Sequence, residues 1–178
     1  MQNSPLTRTF YGLPEASPLL RAIRRLSREA PLPTVMREIA ELEAGGYRAF
    51  MLGEPGEVLA DQVLVGPGGV FLVRVNRWPG RFSFRRDGWF RHSRKDAGEL
   101  VGQVSRDAAA LKARLGENGT APSVEGIVAV ARSKMKAPVI HMGRVTFVAA
   151  PSLGSYLRSR RPALSAEQVE QVAAGMAA

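Results

Sequence analysis

The chain has 178 residues, a formal charge of +9, hydrophobic residues at 45% and no cysteine. That length suits one domain with a short appended segment. The lack of cysteine excludes a disulfide framework and thiolate chemistry. No run of 18 apolar residues is available to cross a membrane, and the opening "MQNSPLTRTF" lacks the apolar stretch of a signal peptide, so a cytoplasmic protein is expected.

In chain order, "ASPLLRAIRRLSREA" predicts a helix capped by Ser17, with Pro18 at its first position. Arg21, Arg24, Arg25 and Arg28 form one basic stripe on it; the spacing fits a solvated face of a docked helix better than a phosphate-facing one. "TVMREIAELEAGG" predicts a second helix, with Thr34 as cap and Gly45-Gly46 as stop. "YRAFML" reads as a first strand. "DQVLVG" and "VFLVRV" read as two more, joined at Pro67-Gly68. "RFSFRR" and "GWFRHS" continue as a hairpin around an Asp-Gly turn, giving a meander of about four strands. "KDAGELVGQVSRDAAALKARLG" predicts a long helix ending at Gly116, and "VEGIVAVA" and "VTFVAA" predict buried strands. "PSLGSYLRS" predicts a short helix. "SAEQVEQVAAGM" predicts a last one, opened by Ser165 and Gln168 at capping-box spacing. This order implies a mixed sheet flanked by helices, in the α/β class.

Charge is polarised along the chain. Residues 74–95 hold Arg74, Arg77, Arg81, Arg85, Arg86, Arg91, Arg94 and Lys95 against Asp87 alone, whereas residues 31–60 lean acidic. A basic run of this kind suits a polyanion, although a composition biased toward Arg, Ala, Gly and Pro accounts for the excess equally well. Trp78 and Trp89 lie in this run; anchoring a hairpin is the simpler role for them, and stacking on bases the sharper one. His92 and His141 are the only histidines, too few for a His-based metal cluster. The Gly-rich turns lack the Lys-Ser/Thr ending of a phosphate-binding loop.

The stretch "DQVLVGPGGVFLVRVN", residues 61–76, resembles the core of the nuclease-related domain, or NERD, a branch of the PD-(D/E)xK nuclease superfamily. The resemblance extends to Trp89, Gln103 and the closing "LSAEQVEQVAAGM", and covers most of residues 34–178. It implies a restriction-endonuclease-like mixed β-sheet flanked by helices over residues 31–178, with an N-terminal helical extension over 1–30. The family's pattern runs Asp, strand, Gly-Pro-x-Gly turn, strand, Glu-x-Lys. Two carboxylates there hold a hard divalent cation and the Lys orients the nucleophile. Here Asp61 matches the Asp, but Arg74 stands for the Glu and Asn76 for the Lys. An Arg cannot ligate Mg²⁺ and its fixed charge repels it.

The expectation is therefore a catalytically inactive nuclease fold, with Asp61, Arg74, Asn76 and Gln103 as vestigial site positions and neither metal nor cofactor. It would bind nucleic acid, DNA first, through Arg77, Arg81, Arg85, Arg86, Arg91, Arg94 and Lys95. Two alternatives stay open: a protein-interaction module for an acidic partner, and an active Mg²⁺-dependent nuclease whose site has migrated to Glu38, Glu54 or Glu57 near Asp61. With Pro67 and Gly68 at the tip of the turn, Val65 faces Val70 and Asp61 comes opposite Arg74, so an ion pair is expected where the metal would sit. A three-residue turn would shift the register by one and break that pair.

Overall fold

The structure, a computed structural model, describes residues 32–52, 61–84, 90–92, 95–117 and 122–177. The expected N-terminal basic helix lies outside them. The first described helix, α1 (Leu32–Ala44), starts two residues before Thr34, so Thr34 is inside the helix and not its cap. Pro33 explains the earlier start: its fixed φ and missing N–H suit a first helical turn. Gly46, at φ 93°, ends the turn after α1, a conformation that favours glycine.

Three antiparallel strands follow, β1 (Arg48–Leu52), β2 (Asp61–Gly66) and β3 (Gly69–Asn76). The β2–β3 register pairs Val65 with Val70 and Gly66 with Gly69, the even register expected. Proline at the first position of a two-residue hairpin turn is unusual, because the favoured turns need φ > 0 there. The positive φ falls instead at Gly69, at 123°. The Pro67 carbonyl is held from outside, accepting the N–H groups of Ala163 at 2.7 Å and Leu164 at 3.0 Å.

The chain then leaves this sheet. β4 (Gly80–Phe84) and β5 (Phe90–His92) pair as an antiparallel hairpin. They belong to a second sheet of order β6-β5-β4-β8, with β6 at Lys95–Asp96 and β8 at Ser133–Lys134. The expected four-strand meander therefore stops at three. The reason lies in the exit from β3. Asn76 Oδ1 accepts the Trp78 N–H at 3.0 Å, an Asx-type turn; Pro79 has no N–H to continue a ladder; and Gly80 takes φ 120°.

Helix α2 (Ala97–Glu117) crosses over to β7 (Val124–Val130), which lies parallel to β3. Lys95 and Asp96, expected to open that helix, pair with β5 instead. β10 (Val145–Ala149) lies parallel to β7, and β9 (Val139–Met142), not expected from the sequence, lies antiparallel at the edge. The first sheet has the order β1-β2-β3-β7-β10-β9. A 3-10 turn (Ala150–Ser152), the short helix α3 (Leu153–Arg158) and helix α4 (Ala166–Ala177) close the chain. The capping box of α4 is formed as expected: Ser165 N–H donates to Gln168 Oε1 at 2.8 Å and Gln168 N–H to Ser165 Oγ at 3.2 Å.

Side-chain alternation gives the first sheet two covered faces. Leu64, Phe71, Val73 and Ile127 pack with α1 and α3. Val63, Val65, Val70 and Leu72 pack with Ala108 and Leu111 of α2 and Val169 and Val172 of α4. The second sheet is tied on through Phe82, whose ring lies 5.4 Å from that of Phe147. Helices on both faces of a mixed sheet give the restriction-endonuclease-like α/β architecture.

Candidate functional site

The even register puts Asp61, at the start of β2, across from Arg74, near the end of β3. Both project to the α2 face, with Val63, Val65, Val70 and Leu72 continuing the same row. Arg74 grips Asp61 with both arms: Nε donates to Oδ1 at 2.8 Å and Nη2 donates to Oδ2. Nη2 also donates to Asp107 Oδ2 at 2.9 Å. Asp107 comes from the middle of α2, so three elements converge on one guanidinium. The Arg74 and Asp61 side chains are 20% and 14% exposed and Asp107 is 43% exposed. Such planar, charge-assisted bidentate contacts are the strongest class of side-chain hydrogen bond. The Asp61 hydrogen bond holds the Arg74 pKa above the ordinary arginine range, against the opposing effect of burial.

Sequence reading did not find Asp107. Its signal lies in helix phase: it stands one turn after Gln103 and beside the buried stripe of Val104, Ala108 and Leu111. Gln103, the position taken from the family pattern, is on the exposed side of α2. Asn76 is buried, at 4% exposure, and its side chain and carbonyl both bind backbone: Oδ1 takes Trp78 N–H and the carbonyl takes Ala131 N–H at 2.9 Å. Asn76 therefore shapes the exit from β3 and ties β3 to the end of β7.

The carboxylates expected to rescue a metal site do not join this group. Glu38 is buried on the opposite face, where its Oε2 accepts the Gly154 N–H at 3.2 Å and Arg37 reaches Oε1. Glu54 and Glu57 lie outside the described residues. Among the described residues no three His, Asp or Glu side chains are placed to hold a metal ion. A hard divalent cation needs six or more oxygens around it. Both Asp61 oxygens are instead taken by a fixed cation, and Arg74 offers only donors. The described residues around Asp61 do not fit a divalent metal.

Of the basic residues expected to meet nucleic acid, Arg77 is half-buried and Arg81 is exposed on β4. Arg91 and Lys95 lie in β5 and β6, and Arg85, Arg86 and Arg94 lie outside the described residues, as does Trp89. Trp78 packs against the core cluster around Phe82 and Phe147, which fits an anchor. His141 is exposed and its Nδ1 contacts Thr146 Oγ1 at 3.1 Å. Thr146 donates to Glu125 Oε1 at 2.8 Å, Tyr156 donates to the same oxygen at 2.6 Å, and Arg160 pairs with Oε2 at 3.0 Å. This network lies on the α3 face, away from Asp61. Burial pushes the Tyr156 pKa up, and the Glu125 hydrogen bond adds to the rise.

No helix among the described residues is long and apolar enough to cross a membrane. No curated protein and no solved structure matches the chain. Residues 35–131, just over half of the sequence, match the family model of the nuclease-related domain, and that span contains every strand and helix that builds the Asp61–Arg74–Asp107 group. The chain belongs to the nuclease-related domain family.

Proposed function

We propose that this nuclease-related domain binds nucleic acid, DNA first, without cleaving it and without sequence preference. The observation that carries the reading is the Arg74 guanidinium set between Asp61 and Asp107. A nuclease of this family pattern needs a cation that can leave coordination sites open to phosphate and water. A guanidinium has none to offer, and it cannot lower the pKa of a water by ligating it. The guanidinium does neutralise Asp61 and partly offset Asp107, which lessens the repulsion of a phosphate backbone at the end of the sheet from which β4 departs. Arg77 and Arg81 lie there, at the start of the basic run. Contacts of Arg and Lys with phosphates supply affinity without sequence reading.

The test pairs binding with cleavage. The full chain is titrated into labelled duplex DNA, single-stranded DNA and RNA at low salt and at rising salt, with and without Mg²⁺ or Mn²⁺. The expected result is micromolar-range binding that weakens steeply with salt, and intact substrate throughout. Metal-dependent turnover abolished by Asp61→Ala would overturn the inactive reading. Absence of binding at low salt would overturn the nucleic-acid reading and favour an acidic protein partner.

A further inference from the structure

Between Glu125 and Glu167 the sequence contains no acidic residue and seven Arg or Lys. Three of these, Arg132, Lys134 and Lys136, fall within five residues, in the segment that runs from the end of β7 through β8. All three are exposed. The fold brings this segment against the beginning of the basic run. Ala131 N–H donates to the Asn76 carbonyl, Ser133 Oγ donates to the Trp78 carbonyl, and β8 pairs parallel to β4 with Gly80 opposite Ser133 and Arg81 opposite Lys134.

Arg81 and Lys134 are therefore neighbours on adjacent strands, which lie about 4.8 Å apart. Like charges set directly across a strand pair destabilise it. No ion pair to a carboxylate relieves Arg81, Arg132, Lys134 or Lys136 among the described residues. A like-charged pair kept exposed, with no described carboxylate paired to it, suits a surface for a regular polyanion. The apolar side chain in this segment, Met135, is half-buried and turned into the core around Phe82; residues 131–138 present no exposed aromatic or branched aliphatic side chain. A protein interface would need such anchors at its centre, whereas a phosphate backbone needs only charge.

We infer that Arg132, Lys134 and Lys136 form, with Arg81, a phosphate-contacting ridge for nucleic acid that continues the basic hairpin onto a distant part of the chain. The inference rests on the nucleic-acid reading above and adds a surface to it. β8 acts as a two-residue clip: its pairing with β4 makes one ridge from segments fifty residues apart. The ridge stands at the end of the sheet to which β3 and β7 run, beside the Asn76 exit and on the side where Arg74 neutralises Asp61.

The test compares two charge-matched double variants of the full chain in the salt titration on duplex DNA. Arg132→Gln with Lys134→Gln removes two ridge cations. Arg158→Gln with Arg161→Gln removes two exposed cations at the other end of the sheet, near the Pro67 turn. Each phosphate contact contributes about 0.9 to the slope of log K against log salt. The ridge variant is expected to lose about 2 in that slope and about ten-fold or more in affinity at moderate salt, while the distal variant keeps the wild-type slope. The ridge variant should also melt at or above the wild-type temperature, because a repulsive pair has been removed. Wild-type slope and affinity in the ridge variant would overturn the ridge and leave the nucleic-acid reading standing. A lowered melting temperature in the ridge variant would mark these residues as structural and overturn it too. Failure of the wild-type chain to bind DNA, with binding to poly-glutamate in its place, would overturn both.

Discussion

Asp61→Ala strips the guanidinium of its bidentate partner and leaves Arg74 half-enclosed, with only the more exposed Asp107 facing it. Removing one partner of a fully buried pair costs roughly 3–5 kcal/mol, because the other charge is left uncompensated. Here residual solvent access and Asp107 screen the orphan, which lowers the expected cost to about 2–3 kcal/mol. For a chain of this size that corresponds to a fall of roughly 4–12 °C in melting temperature. Asp107→Ala should cost about 0.5–1 kcal/mol, since an exposed partner contributes little. Arg74→Lys should lie close to Asp61→Ala, because a point-like ammonium cannot make the two parallel hydrogen bonds. Arg74→Glu should be worse than any of these, about 4 kcal/mol, with three carboxylates then meeting at one place. Excess Mg²⁺ should restore part of that loss by binding the carboxylates, about 1.4 kcal/mol at ten times its Kd, and should do nothing for the wild type. Urea unfolding followed by circular dichroism and tryptophan fluorescence measures all of these, and the double variant Asp61→Ala with Arg74→Met gives the coupling. An Asp61→Ala cost below about 0.5 kcal/mol, or a coupling that small, would refute the view that the pair is a structural replacement for a cation.

Gly66→Ala places a Cβ inside the Tyr47 ring, whose hydroxyl is fixed on the Leu157 carbonyl at 3.0 Å; thermal melts should show a loss of about 2 kcal/mol or more. Glu43 sits half-buried, and burial raises its pKa from 4.5 to about 7 against the opposing pull of the Ala49 backbone and Arg48. Below the ordinary value both folded and unfolded states hold the proton, so stability is full there; it falls as pH rises toward 7, because the unfolded chain ionises more readily. Glu43→Gln should therefore gain about 1–2 kcal/mol over wild type at pH 8, after discounting for solvent screening, and little at pH 4; equal gains at both pH values would refute the assignment. Ser165→Ala removes the side-chain half of the α4 capping box and should cost about 1 kcal/mol in urea unfolding.

The centre of the molecule was legible because its signals are local. Val63, Val65, Val70 and Leu72 alternate with their neighbours, and with two residues at the turn the parity brings Asp61 to Arg74 without further information. What lay outside the sequence signal depends on partners far along the chain. β8 has two residues and β9 has four, in a stretch that holds Lys134, Lys136 and Pro138; β8 carries no apolar run and β9 only Val139-Ile140 before His141, too short to read as a strand without the edge that β4 or β10 presents. The departure of β4 from the first sheet was hidden for a related reason: strand propensity gives the conformation of "RFSFRR", not its neighbour. Asp107 is 33 residues from Arg74 and reads in isolation as one more polar residue at the side of an amphipathic helix.

The place where local reading stopped is also where the site acquires its character. A metal centre of the family pattern is assembled from carboxylates that repel one another until a cation arrives, so its stability is linked to an ion in solution. Arg74 makes the cation part of the chain. The repulsion between Asp61 and Asp107 is then relieved at every metal concentration, and the geometry of β2, β3 and α2 is held without a ligand. In a metal enzyme the positive charge facing phosphate comes and goes with the ion; along the proposed β4–β8 ridge the positive charge is built into the covalent structure. Binding to a polyanion should accordingly be indifferent to chelators and sensitive to salt, whereas a concealed metal site would give a loss of binding on chelation. Gel shifts with and without EDTA at one ionic strength separate the two directly, since the electrostatic term responds to ionic strength and not to the removal of trace divalent ions.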